Sequence, residues 1–288
     1  MPKIVELFEV GPRDGLQNEP VFIATSDKVS LTEGLARVGL PRIECASFVS
    51  PKWVPQMADA AEVVTGITSD LTQLYALAPN VRGLKDALQT PVQGICVFIA
   101  ATEGFNRANT NTSLAGAVER VRGLISQFKR TALANVRLRG YISCVTNCPY
   151  DGDVDPSDVA RLAELLYSCG CDEVSLGDTT GGARPEQVAK MLDSVVQSIP
   201  VQALAGHFHD TGGRALLNID VSLEYGLRVF DTSIAGLGGC PYAPGAKGNV
   251  DTEKVYDHLK ASGYSILGNP DRSALGDVSQ LARKIVGK

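Results

Sequence analysis

The amino-acid sequence predicts an α/β protein of the (β/α)8 TIM-barrel class, one catalytic domain over 1–288, with its active site at the C-terminal ends of the strands. Three observations predict it. Short apolar runs recur along the chain, and helix-like amphipathic stretches lie between them. Eight such runs fit within roughly 250 residues, with no linker, low-complexity segment or charge run between them. Polar and ionisable residues gather where the runs end.

Strands are expected at 4–10, 42–48, 73–78, 93–100, 136–144, 173–177, 203–209 and 229–234. Each is short and bounded by Gly, Pro or polar turns, the pattern of strands buried on both faces. The helix at 25–38 starts with N-cap chemistry at Ser26 and Asp27 and stops at Gly39. The stretch 113–133 spaces Leu114, Val118, Val121, Leu124 and Ile125 at helical intervals. The helix at 156–168 opens on Asp155 and Pro156, where proline suits the first turn, and closes before Gly170. Helices at 185–199, after Arg184, at 213–224 and at 251–261 complete the set. A doubly wound open sheet is the alternative arrangement of the same elements.

Composition bounds the function. With 44% hydrophobic and 20% charged residues the chain is globular rather than disordered. Its net charge of −5 argues against a nucleic-acid coat or a membrane-surface binder, and leaves room for one local basic pocket. No window is apolar for long enough to span a membrane, and Glu6 and Glu9 interrupt the place where a signal peptide needs an apolar stretch. Seven cysteines without zinc-finger spacing read as reduced thiols of a cytoplasmic protein.

The strand ends carry the chemistry. His207 and His209, two of only three histidines, stand at i and i+2. On a strand that spacing turns both imidazoles to one face, a metal-ligand pair or a hydrogen-bonded core pair. Asp14 and Asn249, on strand-end loops, offer a carboxylate and a carbonyl oxygen to complete a site. Two imidazoles with several oxygens suit Mg²⁺ or Mn²⁺, while the Cys240 thiol keeps zinc as a second reading. Arg13, directly after the first strand, either forms a surface ion pair with Asp14 or stabilises a developing anion. Glu44 stands inside an apolar strand, where it either pairs with Arg13 or metal-linked water or caps a neighbouring helix. Asp178 either works on substrate or braces its loop. The glycine-rich segment 236–249 matches no phosphate-binding fingerprint and reads as a lid that would deliver Cys240 as acid, base or nucleophile.

These residues carry a resemblance. The runs 11–19 (GPRDGLQNE), 47–56 (SFVSPKWVPQ), 175–179 (SLGDT), 207–211 (HFHDT) and 236–243 (GLGGCPYA), with Gly248-Asn249, resemble the 3-hydroxy-3-methylglutaryl-CoA lyase family. The match runs in order from about Ile4 to Glu253. The resemblance implies that Asp14, His207, His209 and Asn249 bind a divalent cation, Mg²⁺ or Mn²⁺. It implies that Arg13 stabilises an enolate, that Cys240 is the lid cysteine, and that Glu44, Asp178 and Glu253 support the site. The implied substrate is an acyl-CoA thioester and the implied assembly a homodimer, with no nucleic acid and no membrane. Lys52, Arg107 and Lys247 are candidates for the CoA phosphates. Two departures stand out: Thr211-Gly212-Gly213-Arg214 replaces the family's usual Thr-Tyr-Gly-Gln, and 263–288 does not read like the family's usual end. They leave room for a related branched, longer or citramalyl-type 3-hydroxyacyl-CoA. A condensing synthase of the same superfamily and a CoA-ester-binding scaffold are the other readings.

Overall fold

All eight expected strands form, and helices alternate with them: β1 (Ile4–Glu9), β2 (Arg42–Ser47), β3 (Gln73–Leu77), β4 (Gly94–Ala100), β5 (Arg137–Ser143), β6 (Glu173–Asp178), β7 (Leu204–Phe208) and β8 (Val229–Thr232). The computed structural model describes residues 3–240 and 243–288, with side chains outside 239–247. Eight parallel strands make the closed sheet of a (β/α)8 barrel. The chain divides into two compact units, 1–95 with 229–239 and 248–288, and 96–228 with 240–247. In the first, the strand order is β8-β1-β2-β3, and Ser265–Ile266 adds to the start of β1. In the second, β4 to β7 lie side by side in chain order. Sequential neighbours, with β8 parallel to β1, are the order of a barrel and not of a doubly wound sheet.

The helices are α1 (Thr25–Val38), α2 (Ala60–Gly66), α3 (Val81–Ala87), α4 (Glu103–Thr110), α5 (Leu114–Thr131), α6 (Pro156–Cys169), α7 (Pro185–Val195), α8 (Ala215–Glu224), α9 (Thr252–Ala261) and α10 (Arg272–Ile285). Their ends follow local chemistry. Asp155 caps α6 through the Ser157 amide (2.8 Å), Pro156 takes the first turn, and Gly170 closes it at φ 113°. The N-cap of α1 differs from expectation. Ala24 holds that position, while Asp27 falls in the first turn, where its negative charge complements the positive end of the helix dipole. The Thr25 hydroxyl donates instead to Asp59.

Buried charge recurs at the strand starts, always in pairs. Arg42 pairs with Glu6 and lies over the rings of Phe8 and Tyr75. In the other unit Arg139 meets Glu173 at 2.5 Å and covers Tyr141. At the other end of the strands, the loops after β1 and β2 are clasped together. The Gln56 side chain accepts from the Ile23 amide (2.8 Å) and donates to the carbonyls of Glu19 and Val21. Below it, the buried Lys28 ammonium donates to Asp59 (2.7 Å) and to the Gln56 carbonyl.

Glu9, the last residue of β1, is wholly buried. Its Oε1 accepts from the amides of Gly11 and Ile234, both at 2.8 Å, and its Oε2 accepts from the Thr252 hydroxyl at 2.6 Å. Burial outweighs those bonds and pushes the carboxyl up to about 7. A folded-state value above the unfolded one means that the native state holds an extra proton between about 4.5 and 7, so stability falls as pH rises through that window. Glu9→Gln cannot ionise. It should therefore gain on the wild type by something on the order of 3 kcal/mol between pH 4.5 and 7.5. Urea unfolding of both proteins across that range checks this, and a pH-independent difference would contradict it.

Candidate functional site

The chain leaves β1 through a single wide helical turn, Gly11–Gly15, that the sequence did not announce. The amides of Arg13, Asp14 and Gly15 all point at the Val10 carbonyl, and glycine is required at both ends. A Cβ on Gly11 would stand 2.5 Å from Glu9 Oε1, and one on Gly15 would stand 2.7 Å from Leu237 Cβ. This tight turn presents Arg13 and Asp14 together.

Arg13 is nearly buried, and Glu44 receives it. Nε and Nη2 both donate to Glu44 Oε2, at 2.6 and 2.5 Å, and Nη1 donates to Asp14 Oδ1 at 2.5 Å. So the two readings of Glu44 resolve toward the pair. A register shift in the β2–β3 ladder between Glu44 and Ala46 marks the same place, as bulges beside sites often do. Asp14 is held from every side within this unit. Gln17 Nε2 reaches Oδ1 at 3.0 Å, and Asn249 Nδ2 reaches Oδ2 at 2.8 Å. Asn249 also donates through Nδ2 to the Leu237 carbonyl, which turns its carbonyl oxygen the other way.

In the second unit, His207 is the penultimate residue of β7 and half-buried, and His209 follows the strand, buried, with ring centroids 5.3 Å apart. The i, i+2 spacing does place both rings together. Tyr141 of β5 stands edge-on to His207 at 6.2 Å, a contact that an aromatic in an apolar run did not reveal. Asp178 is fully buried at the end of β6, and burial raises its pKa. Its side chain accepts from the Ala183 amide (3.1 Å) and the Thr180 hydroxyl, which braces the loop after β6. Its main-chain carbonyl accepts from the His209 amide. Arg214, in the departing Thr-Gly-Gly-Arg run, donates to the carbonyls of Gly182 (2.9 Å) and Ala183 (3.1 Å), locking the turn after β7 onto that same loop.

Asp14 in the first unit offers a carboxylate oxygen, and His207 and His209 in the second offer two imidazole nitrogens, donor types that a metal ion takes. Such a nitrogen–oxygen set fits a hard or borderline divalent cation. The Cys240 and Lys247 side chains lie outside the described residues. The described cysteines are free thiols. Glu253 is held by Arg272 of α10 at 2.9 Å, and Arg272 also grips both oxygens of Asp257. Of the phosphate candidates, Lys52 is exposed and Arg107 pairs with Glu103 on its own helix.

Removing Glu44 tests the ion pair. Glu44→Ala leaves a buried guanidinium with one carboxylate fewer and should cost about 3–5 kcal/mol in denaturant unfolding. The double change Arg13→Met, Glu44→Leu should recover most of that loss. A single-variant loss below about 1 kcal/mol would mean that the pair contributes no more than an exposed one.

Residues 4–282 match the HMGL-like family model. The chain is 49% identical over 289 residues to the 3-hydroxy-3-isohexenylglutaryl-CoA/hydroxy-methylglutaryl-CoA lyase of Pseudomonas aeruginosa, covering all of this chain and 95% of that protein. The crystal structure of the HMG-CoA lyase from Brucella melitensis superimposes with a TM-score of 0.94 at 49% identity, covering 99% of both chains. An HMG-CoA lyase from Acinetobacter baumannii, solved with coenzyme A and 3-methylmalate, gives 0.91 at 33% identity, covering 99% of this chain and 92% of that one. The likeness thus continues through the C-terminal stretch that departed from the expected pattern. The chain belongs to the HMGL-like family and groups within it with the hydroxymethylglutaryl-CoA lyases.

Proposed function

We propose that this carbon–carbon lyase cleaves 3-hydroxy-3-methylglutaryl-CoA to acetoacetate and acetyl-CoA with the side chains assigned below. The reading rests above all on the Asp14 carboxylate, fixed by Arg13, Gln17 and Asn249 at the end of β1 in a chain of this family. Asp14, His207, His209 and Asn249 would hold Mg²⁺ or Mn²⁺, which would make the substrate's tertiary hydroxyl more acidic. His207 accepts that hydroxyl's proton. The bond between C2 and C3 then breaks, its electrons passing to C2, so that C3 becomes the ketone of acetoacetate and C2 the enolate carbon of acetyl-CoA. Arg13 steadies the enolate oxygen, and Glu44 keeps the guanidinium aimed there. Cys240 or a nearby acid protonates the carbon. Asp178 supports the histidine pair through the loop it braces and the His209 amide.

One catalytic domain, a cytoplasmic location and a homodimer complete the proposal. Among the described residues, no helix is long and apolar enough to cross a membrane. Coenzyme A in the Acinetobacter structure supports an acyl-CoA substrate.

A related acyl group is the second reading, favoured by one position. Gly212 stands where the resemblance expects an aromatic, and a Cβ there would lie 2.7 Å from Arg214 Nη2 and 2.8 Å from the Gly181 carbonyl. Glycine next to the histidines removes the aromatic that the resemblance expects there, and the Pseudomonas relative's name includes an isohexenyl substrate.

Acetoacetate release is the direct test. Wild type should turn over with Mg²⁺ or Mn²⁺ and stop with EDTA, and His209→Ala should be inactive. Cys240→Ala should lower kcat by about 100-fold or more and leave metal affinity unchanged. Collapse of metal affinity in Cys240→Ala would contradict the acid role. Turnover of an isohexenyl ester alone, with metal bound, would transfer the assignment to the second reading.

A further inference from the structure

Glu9 lies outside the groups named above, yet three segments that build the site converge on it. Oε1 joins the first amide of the Gly11–Gly15 turn, which carries Asp14, to the amide of Ile234. Ile234 begins the turn that ends at Leu237, where the Leu237 carbonyl receives both the Ser233 hydroxyl and Asn249 Nδ2. Oε2 takes the hydroxyl of Thr252, three residues after Asn249 and the first residue of α9. Glu9 therefore grips the chain on both sides of Asn249 and at the root of Asp14. The Asn249–Asp14 bond of 2.8 Å closes the ring of contacts. A buried carboxyl with no charged partner among its hydrogen bonds is costly in a strand, and an apolar side chain would have filled the space.

We propose that Glu9 is a positioning residue that sets the separation of Asp14 from Asn249, and with it the affinity of the cation those two residues help to hold. The inference rests on the metal reading above. It requires hydrogen-bond acceptors at this place, not a negative charge and not bulk. Gln preserves the whole pattern: its carbonyl oxygen accepts from Gly11 and Ile234, and its amide nitrogen donates to the Thr252 oxygen. Met fills the volume but leaves two buried amides without an acceptor.

The test is direct Mn²⁺ binding by calorimetry, with kcat and KM measured in parallel, on wild type, Glu9→Gln, Glu9→Met and Thr252→Val, each shown to be folded by its melting curve. Glu9→Gln should match wild type within about threefold in Mn²⁺ affinity and in kcat. Glu9→Met should weaken Mn²⁺ binding by about 10–100-fold, the usual effect of losing a group that orients metal ligands, and lower kcat at saturating metal with KM little changed. Thr252→Val removes one arm only and should weaken binding about fivefold. Should Glu9→Met fail to fold, Glu9→Gln and Thr252→Val decide. Wild-type Mn²⁺ affinity in folded Glu9→Met, or in Thr252→Val where Glu9→Met does not fold, overturns the proposal, and so does a Glu9→Gln as impaired as Glu9→Met. Wild type that neither binds Mn²⁺ nor releases acetoacetate refutes the functional reading and the proposal with it. That result is distinct from an active wild type with indifferent variants.

Discussion

A permanently charged guanidinium buried at the end of a strand must be neutralised where it stands, and the first unit is arranged around that requirement. Arg13 cannot lose its proton, and leaving it unpaired would cost several kcal/mol. Glu44 answers from inside β2, with one oxygen taking two of its nitrogens, and Asp14 answers from the neighbouring position. The consequence is a carboxylate whose orientation is set by its obligations to Arg13, Gln17 and Asn249 before any ligand arrives. Preorganisation of that kind is what a ligand-binding or transition-state-binding group needs.

Two carboxyls elsewhere, Glu9 and Asp178, follow the opposite logic. Neither has an arginine among its hydrogen-bond partners in the described residues, and in both burial raises the pKa against several hydrogen bonds. Both stand at strand ends and tie down the loops that begin there. Charge pairing thus orients Arg13 and Asp14, whereas the buried carboxyls of Glu9 and Asp178 act as knots in the backbone. The N-terminal ends of the strands use a third arrangement, with Arg42 and Arg139 paired to glutamates and stacked on aromatic rings.

The strands were legible because each is a short apolar run cut off by glycine, proline or a polar cluster, and the eight found lie within a few residues of those expected. The histidine pair was legible for a geometric reason, since i, i+2 on a strand has a single outcome. Short helices were not: α2 and α3 have seven residues and α4 eight, too few for periodicity to declare itself. The amphipathic α10 lies beyond the expected set of helices, although Leu275, Val278 and Ala282 recur at helical spacing. Glu9 read as one acidic residue in a strand, because nothing local reveals partners 225 and 243 positions away. Arg214 was visible only as a departure, and its role in locking the turn onto Gly182 and Ala183 needed the folded chain.

The clasp of Gln56, Lys28 and Asp59 has a consequence for how this chain can vary. A single amide side chain from the loop after β2 satisfies three backbone groups within 19–23, so the loop after β1 depends on its neighbour as well as on its own hydrogen bonds. The two therefore act as one structural module. A homologous loop transplanted after β1 alone would have to present three backbone groups in the register that the resident Gln56 already fixes. Recombination that exchanges both loops together preserves the rim of the barrel, and a crossover between them breaks it.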